Sequence, residues 1–186
     1  MENWNYLIRR KVLQLFGASF HIYDPAGRLI GFSHQKAFKL KEDIRVYTDE
    51  SKTRELLVVK ARQIIDFSAC YDVFDPASGA LLGTWQRQGF SSLLRDNWRL
   101  FDSTGMCIGE IKEDSMFFAL VRRFGTNLLP QSYSLNTREG EVAEFSQNFN
   151  PFVFKLKVRL TPGGTLSPWL ILAGGILLAA IEGRQN

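Results

Sequence analysis

Cysteine and histidine are scarce in this chain, with two of each among 186 residues. Cys70, Cys107, His21 and His34 lie far apart, so no cluster at ligand spacing exists for a structural zinc site, and no metal or other cofactor is expected. Each cysteine sits inside an apolar, strand-like run, where two buried free thiols are the expectation and a disulfide the exception. Strong charge bias is missing as well. Lys plus Arg number 23 against 19 Asp plus Glu, a net +4, which permits attraction to phosphate-bearing surfaces but is too thin for a dedicated nucleic-acid binder. The opening MENWNYLIRRKVLQLF has no basic-then-apolar-then-small order, so no secretory leader is expected and a cytoplasmic placement is. No nucleophile elbow, no phosphate loop and no acid pair flanked by histidine is visible, so no catalytic residue is assigned and an enzyme is not expected.

Against these gaps stand an ordinary globular balance, 45% hydrophobic and 23% charged, and a heavy use of phenylalanine, 15 residues against 5 Tyr. Large rings in that number suit a wide interior. The length fits one domain over residues 1–186, and a monomer is expected.

A short unit recurs. YDPAGRLIG (Tyr23 to Gly31), FDPASGALLG (Phe74 to Gly83) and FDSTGMCIG (Phe101 to Gly109) each run aromatic, Asp, turn, Gly, apolar residues, Gly. Asp24, Asp75 and Asp102 are placed to accept hydrogen bonds from backbone N–H groups a residue or two ahead, while Gly27, Gly79 and Gly105 supply the positive φ of a tight hairpin. The second glycines, Gly31, Gly83 and Gly109, fall inside the return strand, where glycine marks a bulge, a bend or a closely passing backbone. LNTREGEVAEF (Leu135 to Phe145) is a fainter echo, with Asn136 for Asp and Ala143 near the second glycine position.

Between the turns lie alternating runs. In FVFKLKVRL, Phe152, Phe154, Leu156, Val158 and Leu160 share one face and Lys155, Lys157 and Arg159 the other. Counting all such stretches gives about a dozen short strands over residues 6–160, spaced as a meander. One or two short helices are expected as interruptions, at FSSLLRDNW (Phe90 to Trp98) and EDSMFFALVRRFG (Glu113 to Gly125), where Arg122 and Arg123 suit the carbonyl end.

The C-terminal LSPWLILAGGILLAAIEG raises a choice. Ser167 as N-cap, Pro168 at the first helical position and Gly183 as stop predict a helix over about 167–182. It is apolar on all sides, which is tolerated in lipid or when protein surrounds it. The continuous apolar stretch, Trp169 to Ile181, falls short of the roughly 20 residues a span needs. Gly174, Gly175 and the neighbouring alanines would let strands come close, and Leu170, Leu172, Leu177 and Ile181 would fill the lumen that about a dozen strands leave open. The reading adopted is mainly β, a closed antiparallel barrel around a central helix carrying Trp169, Leu172, Gly174, Gly175, Leu177 and Ile181. A membrane anchor is the alternative.

The D-x-x-G-x-x-I-G hairpins, the LPQSYSL segment (Leu129 to Leu135) and the closing apolar helix resemble the tubby-like superfamily, in its branch of phospholipid scramblases and LURP-one-related proteins. The likeness runs from about Tyr6 to Glu182 and implies a twelve-stranded barrel enclosing a hydrophobic C-terminal helix. The acidic calcium loop and the cysteine-rich stretch of animal scramblases have no counterpart here, since GEVAEFSQNFN offers only Glu141 and Glu144. The function expected is a binding or scaffold module that touches anionic phospholipid or a membrane surface, or an unidentified protein partner. The candidate lipid-binding residues are Lys155, Lys157 and Arg159, joined by Lys39 and Lys41. The alternative function is a lipid-translocating protein that uses the last helix as its anchor.

Overall fold

The computed structural model describes residues 4–11, 18–35, 43–65, 68–88, 97–113, 132–148 and 153–181. Twelve strands run in chain order: β1 (Tyr6–Lys11), β2 (Ala18–Tyr23), β3 (Leu29–Gln35), β4 (Ile44–Tyr47), β5 (Glu55–Ile65), β6 (Ser68–Phe74), β7 (Leu81–Gln88), β8 (Asn97–Asp102), β9 (Cys107–Glu113), β10 (Ser132–Thr137), β11 (Gly140–Gln147) and β12 (Val153–Leu160). Every strand pairs antiparallel with its chain neighbours, and β12 returns to β1, closing the barrel. Closure leaves no free edge to template aggregation.

The repeated turns form as their residues require. Gly27, Gly79 and Gly105 hold φ of +77°, +71° and +87°, open to glycine at no steric cost. Asp75 Oδ1 accepts from the Ala77 N–H at 3.0 Å and Asp102 Oδ1 from the Thr104 N–H at 2.9 Å, two residues ahead as expected. Asp24 reaches further, to the Arg28 N–H at 2.9 Å, because the Arg28 side chain folds back onto the same carboxylate. These bonds favour the ionised carboxylate, so all three acids titrate below their usual range, through the Arg28 N–H, the Ser78 hydroxyl and the Thr104 hydroxyl foremost.

The second glycines mark bulges. Ile22 pairs with Gly31 but Tyr23 with Leu29; Val73 with Gly83 but Phe74 with Leu81; Leu100 with Gly109 but Phe101 with Cys107. The skipped residues Ile30, Leu82 and Ile108 pack against the core, so each bulge turns two consecutive positions inward. The fainter echo does the same, skipping buried Val142 before Ala143. At Gly83 a Cβ would stand 2.6 Å from the Phe101 carbonyl oxygen, a backbone contact that glycine alone permits.

The C-terminal segment forms α1 (Pro168–Ile181), started where the Leu170 N–H bonds to the Ser167 carbonyl at 3.0 Å. Leu170 to Ala180 are buried throughout, inside the ring of Ile8, Phe20, Ile22, Val46, Leu57, Val73, Trp85, Leu100, Phe145, Leu156 and Val158. Gly174 faces Trp85 and Gly175 faces Ile8, Phe145 and Val158, which is how a helix backbone fits in a lumen already filled with rings. The barrel grips both ends. Trp85 Nε1 donates to the Leu170 carbonyl at 3.0 Å, and Arg10 Nη1 donates to the Ala179 carbonyl at 3.3 Å. Arg10, on the inner face of β1 and only 6% exposed, supplies the cation that the last turn of α1 does not carry.

Three expectations need correction. Trp169 is 41% exposed at the mouth of the barrel, since the first turn of α1 stands outside the lumen. Cys107 is exposed and Cys70 only partly buried, because both lie on outward-facing positions; both thiols are free. The anchor alternative is not realised, because α1 is enclosed, and no helix among the described residues is long and apolar enough to cross a membrane. The expected helices at 90–98 and 113–125 fall almost wholly outside the described residues, apart from Asn97 and Trp98 in β8 and Glu113 in β9.

Candidate functional site

Lys155, Lys157 and Arg159 occupy the outer face of β12, as the alternation with buried Phe154, Leu156 and Val158 dictates. They do not act alike. Arg159 stands opposite Glu144 of β11 and donates to its Oε2 through Nε at 3.0 Å and through Nη2, with Glu141 4.0 Å away. That pairing, led by the hydrogen bond to Glu144, raises the Arg159 pKa and balances its charge within the sheet.

Barrel closure gives Lys155 a different neighbour. The register of β1 on β12 sets Arg9 directly opposite Lys155, and on its other side Arg9 stands opposite His21 of β2. Cross-strand partners lie within about 5.5 Å at Cβ, so Lys155, Arg9 and His21 form one row across three strands. Lys157 adds a second cation one step along β12, opposite Leu7 and Ser146. Arg9 Nε is buried with no hydrogen-bond partner among the described residues. The row ends at His21, whose Nε2 lies 2.8 Å from Glu50 Oε1 and whose ring meets Phe32 edge-on at 5.1 Å. Lys52 Nζ caps the same Phe32 ring at 5.8 Å. Lys39 and Lys41 lie outside the described residues.

Arg9 was within reach of the sequence only in part. In YLIRRK the period of two sends one arginine in and the next out, but which strand flanks Arg9 depends on a pairing that spans nearly the whole chain.

A second feature lies on the outer face of β5 to β8. A groove of about 390 Å³ is lined by Arg62, Cys70, Leu81, Thr84, Gln86, Phe101 and the Asp102–Gly105 turn. Its floor is a closed network: Arg62 donates to Asp72 through Nε at 2.8 Å and Nη2 at 2.6 Å, and the Thr84 hydroxyl donates to Asp72 Oδ1 at 2.7 Å. Asp72 and Thr84 are 9% and 7% exposed. The clamp raises the Arg62 pKa, and burial pushes the Cys70 thiol up. No group of three or more His, Cys, Asp or Glu is placed to hold a metal among the described residues.

The barrel that carries these features belongs to a known architecture. A crystal structure of a protein from Arabidopsis thaliana is similar at a TM-score of 0.52 and 16% sequence identity, covering 99% of this chain and 94% of that one, which shows a shared fold. No curated protein matches the chain. The family described as LURP-one-related matches residues 31–173, and the chain therefore belongs to the LURP-one-related family of the tubby-like superfamily.

Proposed function

We propose that this barrel is a non-catalytic binding module that engages anionic phospholipid surfaces through Lys155, Lys157 and Arg9. The observation that supports the reading is the cross-strand row itself: barrel closure sets Arg9 beside Lys155 on the outer face, with Lys157 one step further along β12. A phosphate-bearing surface is attracted by these adjacent cationic groups. Arg159 contributes little, because Glu144 already holds it. With α1 enclosed, contact with a bilayer would be peripheral and electrostatic, strengthening at low salt. Each basic residue near an anionic surface contributes about 1 kcal/mol, so the three together account for weak, reversible binding.

Vesicle flotation tests this. The native protein is expected to float far more strongly with phosphatidylserine-containing vesicles than with pure phosphatidylcholine, and Lys155→Glu with Lys157→Glu is expected to abolish that difference. Arg9→Gln should weaken it about fivefold, matching one lost contact. Flotation that ignores lipid charge, or a preference for phosphatidylserine that survives the double reversal, removes this surface from consideration.

A further inference from the structure

We propose that the groove on β5 to β8 is a binding site for a small zwitterion, with its ammonium at Asp102 and Phe101 and its anionic group at Arg62. The volume, about 390 Å³, falls in the range of small-molecule sites. Its charged groups are arranged unevenly. Arg62 uses Nε and Nη2 on Asp72 and Thr84, which fixes the guanidinium plane and leaves Nη1 without a partner among the described residues. Asp72 balances its charge, so the groove is not a general anion trap; what remains is one rigid donor edge.

Asp102 is the complementary half. Its hydrogen bonds from the Thr104 N–H, the Thr104 hydroxyl and the Met106 N–H all land on Oδ1, at 2.9, 2.7 and 2.9 Å. Oδ2 accepts none among the described residues, and no cation pairs with it there. The groove therefore carries a surplus negative charge at Asp102, with Phe101, Leu81 and Cys70 among its lining residues. An ammonium, quaternary ones included, suits a carboxylate beside an aromatic face. A lone anion would be repelled by Asp102 and a lone cation would leave Arg62 Nη1 unused; a molecule bearing both satisfies both. The shared chemistry is met by an amino-acid-like carboxylate zwitterion or by a phosphate-ammonium headgroup.

The test uses the full chain and calorimetric titration with four probes: glycine betaine, phosphocholine, choline chloride and inorganic phosphate. At least one zwitterion is expected to bind about tenfold more tightly than choline or phosphate alone, and comparison of the two tells carboxylate from phosphate sources. Asp102→Asn keeps the Oδ1 acceptor of the turn and removes the charge, so it is expected to fold normally and lose about tenfold in affinity; Phe101→Ala is expected to lose a similar factor for quaternary ligands. Alkylation of Cys70 in a Cys107→Ser background should slow when the zwitterion is present. Lys155→Glu with Lys157→Glu should leave zwitterion binding unchanged, which separates this site from the lipid-facing row. No binding of either zwitterion at roughly 10 mM, binding equal to that of choline or phosphate alone, or full affinity in Asp102→Asn overturns the proposal.

Discussion

On an open helix, replacing a central glycine by alanine stabilises by about 1 kcal/mol. Inside this barrel Gly174→Ala should do the opposite. A Cβ at position 174 would stand 2.8 Å from Trp85 Cζ2 and 3.1 Å from Cε2. Trp85 is fully buried and its Nε1 is bonded to the Leu170 carbonyl, so the ring cannot retreat without giving up that bond. Overpacking costs about 1–3 kcal/mol, and weakening the buried hydrogen bond adds about 0.5–1.5 kcal/mol. Set against the helix gain, the net is a destabilisation of about 0.5–3.5 kcal/mol, or roughly 1–14 °C in Tm for a chain of this size. Gly175→Ala is the control. Its nearest neighbour is Ile8 Cδ1 at 2.9 Å, the far end of a flexible side chain, so gain and cost should cancel to within about 0.5 kcal/mol. Guanidinium denaturation followed by circular dichroism and tryptophan fluorescence should show a lower midpoint for Gly174→Ala with an unchanged slope. Stabilisation of both variants by about 1 kcal/mol would falsify the enclosure of α1.

Deleting residues 166–186 should leave an insoluble, unfolded remainder, read by circular dichroism and sedimentation. Six large buried side chains of α1, Leu170, Ile171, Leu172, Ile176, Leu177 and Leu178, contribute roughly 1.5–3 kcal/mol each, together as much as a domain's whole stability. Arg10→Met should cost about 1–3 kcal/mol by removing the buried donor to the Ala179 carbonyl, and the loss should appear as a lower denaturation midpoint. Stability should fall in acid: Asp24, Asp75 and Asp102 titrate below 3.8 in the folded chain, so their contribution is present above the ordinary carboxylate range and lost as pH drops through the lowered values. Asp75→Asn with Asp102→Asn should flatten that acid limb in a pH series of thermal melts, and an unaltered limb refutes the assignment.

Much of the architecture was legible because it is written in local rules. A period of two in FVFKLKVRL fixes which side chains of β12 share a face, and D-x-x-G fixes a positive-φ turn within a few residues. The bulges at Gly31, Gly83 and Gly109, and even the echo at Ala143, were marked by small residues in otherwise apolar strands. The Ser167-Pro168 start of α1 predicted a helix for the same reason, since backbone preferences act over one or two turns, while its apolar body fitted lipid or protein and only its shortness favoured enclosure.

The candidate sites were another matter, since they depend on which strands become neighbours. Lys155 and Arg159 look equivalent along the chain, yet β1 sets an arginine beside one and β11 a glutamate beside the other. Arg62 gains its rigidity from Asp72, ten residues away across a bulged hairpin, and Asp102 its surplus charge from the lack of a cation around it among the described residues. Pattern along a strand tells a side chain which face to take. Coulomb and hydrogen-bond energies, which fall off over a few ångströms, then depend on register across the sheet, and that register is set only when β12 meets β1.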